Sequence, residues 1–364
     1  MATIKGKILS GGSAVRSDQI TLFEFSSLND KHPIKLASSH SETNGKFVFK
    51  NIDLQPKKTY YITARNQSST LAALLKKDKH DGLVINDRSS VATSYVFNRF
   101  INRDQISGNR SSTRAGWMTY RNLVRTNGST ASLSHRNPGT TERVNLLANV
   151  TAAAGTDPST RRKFFKLTAA PGEAQAQTTL EAIAAIGRNP SRNAEKIFKL
   201  AESAPAIYPT DNQAIVDRQS WLLYFEHYGA PDESDSVFFG PGNIALDRRG
   251  DLWITNNFRP GSENENPPFA SVTLPRMKPN GRLTGGEPLM GGGIYGSGFG
   301  VGIDPSDQVW VGNFGFGASK VPLRGNGNSI SLFSKKGQPL SPDGSELPSR
   351  IPSGGFTQGD LLGI

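Results

Sequence analysis

Residues 243–257 read NIALDRRGDLWITNN: two short apolar runs, 244–246 and 252–254, joined by the charged turn Asp247-Arg248-Arg249-Gly250-Asp251. The same plan returns downstream as VGIDPSDQVWVGNFG at residues 301–315. Asp247 and Asp304, Trp253 and Trp310, and Asn256 and Asn313 each stand 57 residues apart. A second matched pair, LPRMKPNGRL and SLFSKKGQPL, places Gly281 and Gly337 56 apart. Each repeat therefore predicts a strand, an Asp-led hairpin, a strand, a loop, a strand, an Asn-Gly or Lys-Gly hairpin and a strand. Four short strands per repeat make the blade of a β-propeller, here lengthened by loops such as RPGSENENPPF.

Upstream, the hydrophobic period changes twice. Residues 1–70 alternate apolar and polar side chains in the runs TIKGKIL, ITLFEF, PIKLASS, KFVFK and TYYITA, separated by turn residues, which predicts a small antiparallel β-sandwich. Asn44-Gly45 is read as a tight hairpin turn, with Phe47 and Phe49 on one face. Residues 71–87 are read as a connector. From 88 to 228 the period becomes helical: SSVATSYVFNRFI, ERVNLLANVTAAAG, DPSTRRKFFKLTAAPG, TTLEAIAAIGRNP and RNAEKIFKLAESAP predict about five helices of an all-α domain. Asp157 is placed as an N-cap ahead of Pro158, and Thr178 with Glu181 has capping-box spacing. Residues 108–116 and 127–139 are read as exposed loops. The fold class expected is thus multidomain α+β: sandwich, helical middle, and from 229 to 364 about two blades of a partial propeller.

ETNGKFVFKNI and its neighbouring strands resemble the carboxypeptidase regulatory-like, collagen-adhesin B-type sandwiches. PGNIALDRRGDLWITNNF and GVGIDPSDQVWVGNFG resemble NHL-type repeats, also found in propellers similar to virginiamycin B lyase. The helical stretch is similar to the linker of bacterial NHL-repeat proteins. Together these resemblances imply a bacterial, exported or surface-associated protein, with a cytoplasmic location as the alternative. GGFTQGDLLGI at the end of the chain aligns with GGIYGSGFGVGI, so the sequence reads as stopping at the threshold of a third blade.

The charge balance is uneven. Lys plus Arg against Asp plus Glu runs 14 to 8 over residues 1–90, 17 to 10 over 91–228 and 11 to 13 over 229–364. A basic front could meet an anionic polymer. Arg99 with Arg103, and Arg121 with Arg125, are four apart and are expected to share helix faces that would carry such a contact. With no Cys there is no thiolate metal site or Cys nucleophile. The five histidines are scattered outside the repeats, and no HExxH or Walker motif occurs. The GxGxxG match in GGGIYG lies between strands rather than ahead of a helix, which removes the reason for a dinucleotide site. RGD at 249–251 is read as a tight polar hairpin. A lyase similar to the virginiamycin enzyme would need a His base and a metal in the propeller, and the repeats contain no His.

The function expected is therefore non-enzymatic: a binding scaffold that presents blades to an unknown protein or glycan, with no cofactor, no metal and no transmembrane segment. Trp253, Asn256, Trp310 and Asn313 are the candidate ligand-facing residues. A lyase-like enzyme and a subunit of a surface fibre, whose β edges pair between copies, are the alternatives.

Overall fold

The computed structural model describes residues 1–25, 32–65, 69–131, 137–227, 236–262, 264–265, 269–314, 329–342 and 356–357. The protein is of mixed α+β class and divides into two compact units, residues 1–226 and 227–364. Of the chain end aligned above with the repeats, 354–364, Phe356 and Thr357 are described and the rest lies outside the described residues.

In the first unit, β1 (Ala2–Ser10), β2 (Ser13–Ala14), β5 (Lys46–Ile52) and β8 (Leu83–Ile85) form one sheet, with β8 parallel to β1. A second sheet has the order β4 (Ile34–Ser39), β3 (Gln19–Glu24), β6 (Tyr60–Arg65) and β7 (Thr70–Leu75), all antiparallel. Ile4, Ile8, Phe47 and Phe49 of the first sheet join Leu22 and Ile62 of the second in one apolar core. The Phe47 ring lies against β1 where a Cβ on Gly6 would stand, so only glycine fits there.

The expected connector thus holds two strands. The Asn44-Gly45 turn is also not a hairpin between paired strands: β4 pairs with β3 and β5 with β1, so it carries the chain from one sheet to the other. Gly45 alone supplies the positive φ, at 79°, while Asn44 Oδ1 accepts from the Lys46 N–H.

The second sheet has a further layer on its other side. Phe23, Phe25, Tyr61 and Leu74 belong to the same core as the helices, which is why β3, β6 and β7 are buried on both faces and residues 1–226 behave as one unit. Among the described residues six helices follow: α1 (Asp87–Val96), α2 (Arg110–Leu123), α3 (Pro138–Thr156), α4 (Pro158–Thr168), α5 (Thr179–Arg188) and α6 (Ala194–Glu202). Asp157 caps α4 through the N–H groups of Ser159 and Thr160, ahead of Pro158 at the first helical position, as expected. Thr178 caps α5 through the Glu181 N–H, while the Glu181 carboxylate turns to the N–H groups of Gln177 and Arg103.

The expected loop at 108–116 is instead the start of α2. Asn109 caps it, and Trp117, Tyr120 and Leu123, three apart, bury their side chains. Of the expected loop at 127–139, residues 132–136 lie outside the described set.

The second unit holds two open antiparallel sheets, neither closed into a barrel among the described residues. One is β11 (Pro241–Leu246), β12 (Leu252–Asn256) and β13 (Arg276–Met277) in that order. The other runs β14 (Val301–Ile303), β15 (Val309–Asn313), β16 (Ser329–Phe333) and β17 (Phe356–Thr357). The strand expected after each Gly hairpin shrinks to one bridge, Met277 to Leu283 and Phe333 to Pro339. Gly285-Gly286 in the first repeat and Pro339 in the second interrupt the ladder.

Candidate functional site

The two Asp-led turns are built identically. In the first, the Asp247 N–H donates to the Asp251 carbonyl at 3.0 Å and the Gly250 N–H to the Asp247 carbonyl at 2.8 Å. Oδ1 of Asp247 accepts from the N–H groups of Arg249 (2.8 Å) and Asp251 (3.0 Å), and Oδ2 accepts from Trp253 Nε1 (3.2 Å). In the second, Asp304 Oδ1 accepts from Ser306 N–H (2.8 Å) and Gln308 N–H (2.9 Å), and Oδ2 from Trp310 Nε1 (3.1 Å). Desolvation opposes ionisation of Asp304, yet the bonds from Gln308, Trp310 and Ser306 hold its carboxyl below the ordinary value. Gly250 at φ 79° is matched by Asp307 at φ 64°, so the second turn tolerates a non-glycine residue in the left-handed region.

The RGD tripeptide is therefore the inside of a turn. The Asp251 carboxylate is fully buried against Arg276 rather than offered to solvent.

Asn256 and Asn313 also do matching work. Asn256 Oδ1 accepts from the Phe239 N–H, and its Nδ2 donates to the Val237 carbonyl and to Thr273 Oγ1. Asn313 Oδ1 accepts from the Tyr295 N–H, and its Nδ2 donates to the Gly293 carbonyl and to the hydroxyls of Ser329 and Ser331. Both amides are buried and tie the segment before each first strand to the end of the middle strand. Gly291–Gly296, the GxGxxG match, lies in that tied segment, where its N–H and carbonyl groups meet Asn313 and Ser271.

Of the four candidate ligand-facing residues, Trp253, Asn256 and Asn313 are buried, and Trp310 is half-buried with its indole N–H committed to Asp304. Trp253 sits in the core of the unit with Leu274, Val309, Val311 and Phe333.

Sequence reading missed Arg276. It faces Trp253 across the β12–β13 ladder, stacks its guanidinium 4.6 Å from the indole centroid, and reaches Asp247 Oδ2 at 2.8 Å and Asp251 Oδ2 at 3.3 Å. Thr284 Oγ1 also donates to Asp251. The signal was available in the 56-residue offset, where Arg276 falls on Leu332.

The exposed part of this framework is a cleft of about 300 Å³, lined by Asp247, Arg248, Arg249, Asp307, Lys335 and Lys336. Arg248 pairs with Asp307 at 3.1 Å and donates to the Pro305 carbonyl at 2.7 Å, so the first turn is fastened to the second. Two arginines from an Asp turn and two lysines from a Gly hairpin meet here.

In the first unit, the arginine pairs do not share helix faces. α1 ends at Val96, so Arg99 lies in the turn beyond it and Arg103, at φ 57°, in the tight turn between β9 (Ile101–Asn102) and β10 (Gln105–Ile106). α2 ends at Leu123, so Arg121 is helical, over the Trp117 ring, while Arg125 lies past the cap. Arg103 instead joins Arg188, Glu173 and Glu181 around a cleft of about 290 Å³.

The same unit fully buries the Asp87 carboxylate, which accepts from Ser10 Oγ (3.1 Å), Gly11 N–H (2.9 Å) and Tyr208 Oη (3.0 Å). Desolvation raises its pKa to about 6 against those bonds. Two asparagines of Asn-x-Ser/Thr triplets, Asn109 and Asn149, have structural uses: Asn109 caps α2, and Asn149, buried, exchanges hydrogen bonds with the backbone of Tyr208.

Among the described residues no three His, Asp or Glu side chains stand together as a metal site would need, and no helix is long and apolar enough to cross a membrane. No protein-family model matches the chain, and neither a curated protein nor a solved structure does.

Proposed function

We propose that this is a non-enzymatic binding scaffold, exported or surface-associated, in which a front sandwich and helical layer carry blades of an NHL-type propeller that serve as the interaction platform. One observation supports the reading most strongly. The repeated side chains able to do chemistry, Asp247, Asp304, Asn256 and Asn313, spend their polar atoms on internal hydrogen bonds, while the varied turn side chains face solvent. A group held by three or four fixed partners is a poor proton carrier and a good strut.

The labelled full chain applied to intact bacterial cells is expected to show saturable retention, and none would overturn the platform reading. Ring-opening of a streptogramin B lactone, lost on one substitution within residues 236–342, would replace it with the lyase-like reading.

A second reading, assembly into a fibre, is favoured by β11. This edge strand leaves Ile244 and Leu246 54% and 67% exposed. A monomer in light scattering at high concentration removes it.

A further inference from the structure

The cations of the second unit are not spread evenly over its turns. Each repeat has an Asp-led turn and a Gly hairpin, giving four turns with two central residues each. Those pairs are Arg248-Arg249, Pro279-Asn280, Pro305-Ser306 and Lys335-Lys336. The two charged pairs come from different repeats and different turn types, yet they line one cleft, and neither uncharged pair does.

Arg248 fastens the two Asp-led turns together, but closing the turns gives no reason for charge at the other three positions. The turns close through backbone bonds and through Asp247, Asp304 and the glycines, and the Pro-Ser turn closes with the same bonds as the Arg-Arg turn. Gathering like charges around about 300 Å³ opposes the folded state, since their repulsion is larger in a partly desolvated cleft than in open water. The carboxylates offset it only in part: Asp307 pairs with Arg248, and Asp247 shares Arg276 with Asp251, which leaves the cations in excess.

We propose that this cleft binds closely spaced phosphate groups of an anionic ligand, a proposal that rests on the platform reading and names its chemistry. A guanidinium suits an oxyanion in two-point geometry, and Lys335 and Lys336 add compact point charges. Among the described residues no aromatic side chain lines the cleft, so neither a nucleobase nor a sugar face finds a stacking surface there. An excess of positive charge in so small a space matches the charge density of linked phosphates better than that of isolated carboxylates, which carry one charge each.

The probe is tripolyphosphate, titrated calorimetrically into the full chain at low ionic strength. Saturable binding is expected, weakening with added salt. Lys335→Gln with Lys336→Gln should raise Kd about tenfold, and adding Arg249→Gln should weaken binding further. Lys335→Arg with Lys336→Arg should keep the affinity, which separates charge from any change in folding. Arg282→Gln, an exposed cation outside the cleft, should leave Kd unchanged. The proposal is overturned if the wild type does not bind tripolyphosphate, if the double glutamine variant binds as well as wild type, or if Arg282→Gln loses as much. Saturable cell binding without tripolyphosphate binding would leave the platform standing and remove its phosphate ligand.

Discussion

The two repeats of the C-terminal unit share a backbone plan and differ in how they fill it. In the first, Trp253 carries Arg276 on its cross-strand neighbour position, and that arginine pairs with both Asp247 and Asp251. In the second, Trp310 faces Leu332, and Gln308 stands where Asp251 stood. The aspartate, the tryptophan and their hydrogen bond stay the same. Charge and countercharge have therefore changed together between two copies of one design. The Asp–Trp clamp is the architectural constant, and the buried ion pair is one of two ways to complete it. The first unit shows a third treatment of a buried carboxylate: among the described residues Asp87 has no salt-bridge partner, is satisfied by two hydroxyls and an N–H, and is pushed toward its neutral form.

The largest expected effect breaks the first repeat's solution from one side. Arg276→Ala leaves Asp251 buried without its cation and should destabilise the second unit by about 3–5 kcal/mol in denaturant melts. Converting both positions, Arg276→Leu with Asp251→Gln, copies the second repeat and should recover most of that loss, to within about 1.5 kcal/mol of wild type. A double variant no better than Arg276→Ala would show that the repeats are not interchangeable.

Next comes Asp87, which separates neutralising by pairing from neutralising by protonation. Its folded pKa of about 6 lies above the ordinary 3.8, so between these values the folded state holds the proton that the unfolded state releases. Stability from this group is therefore greatest at low pH and declines as pH rises through about 4 to 6. Relative to Asp87→Asn, the wild type should gain about 2.5 kcal/mol between pH 7 and pH 4. A pH-independent difference between the two melts would refute the assignment.

Asn313→Ala removes the amide that ties residues 293 and 295 to β15 and should destabilise by about 1–3 kcal/mol. Asn256→Ala should match it closely, since each amide makes the same kind of ties. A gap above about 2 kcal/mol would show that the repeats carry unequal loads. The smallest effect is at the left-handed turn position. Asp307→Gly relieves a positive φ but loses the ion pair to Arg248, and thermal melts should place it within about 1 kcal/mol of wild type.

Much of this plan was legible in the sequence, because repeated spacing is insensitive to packing. The 57-residue offset identified the Asp, Trp and Asn positions, and turn chemistry placed the hairpins. What escaped were features set by tertiary neighbours. β7 reads as a bare apolar run, STLAALL, since both its faces are covered, and period-two alternation is lost. α2 begins with Arg, Ser and Thr and contains Gly116, which looks like a loop until Phe97 is seen packed against that glycine. The arginine pairs failed for a simpler reason: four-residue spacing means a shared face only inside a helix, and both helices stop first. Arg276 escaped because a charged residue in a short strand has no local signature and acquires its role only from Trp253 across the ladder.

The aspartate clamp has one further consequence. Each carboxylate is fixed at once to backbone positions two and four residues ahead and to the indole six ahead, so it works as a length gauge. A turn one residue longer or shorter loses several bonds together, whereas a turn of the right length accepts Arg-Arg or Pro-Ser with equal ease. The gauge separates what must be constant from what is free to change: it holds the outline of the repeat while leaving two outward side chains per turn open to selection for whatever the surface meets.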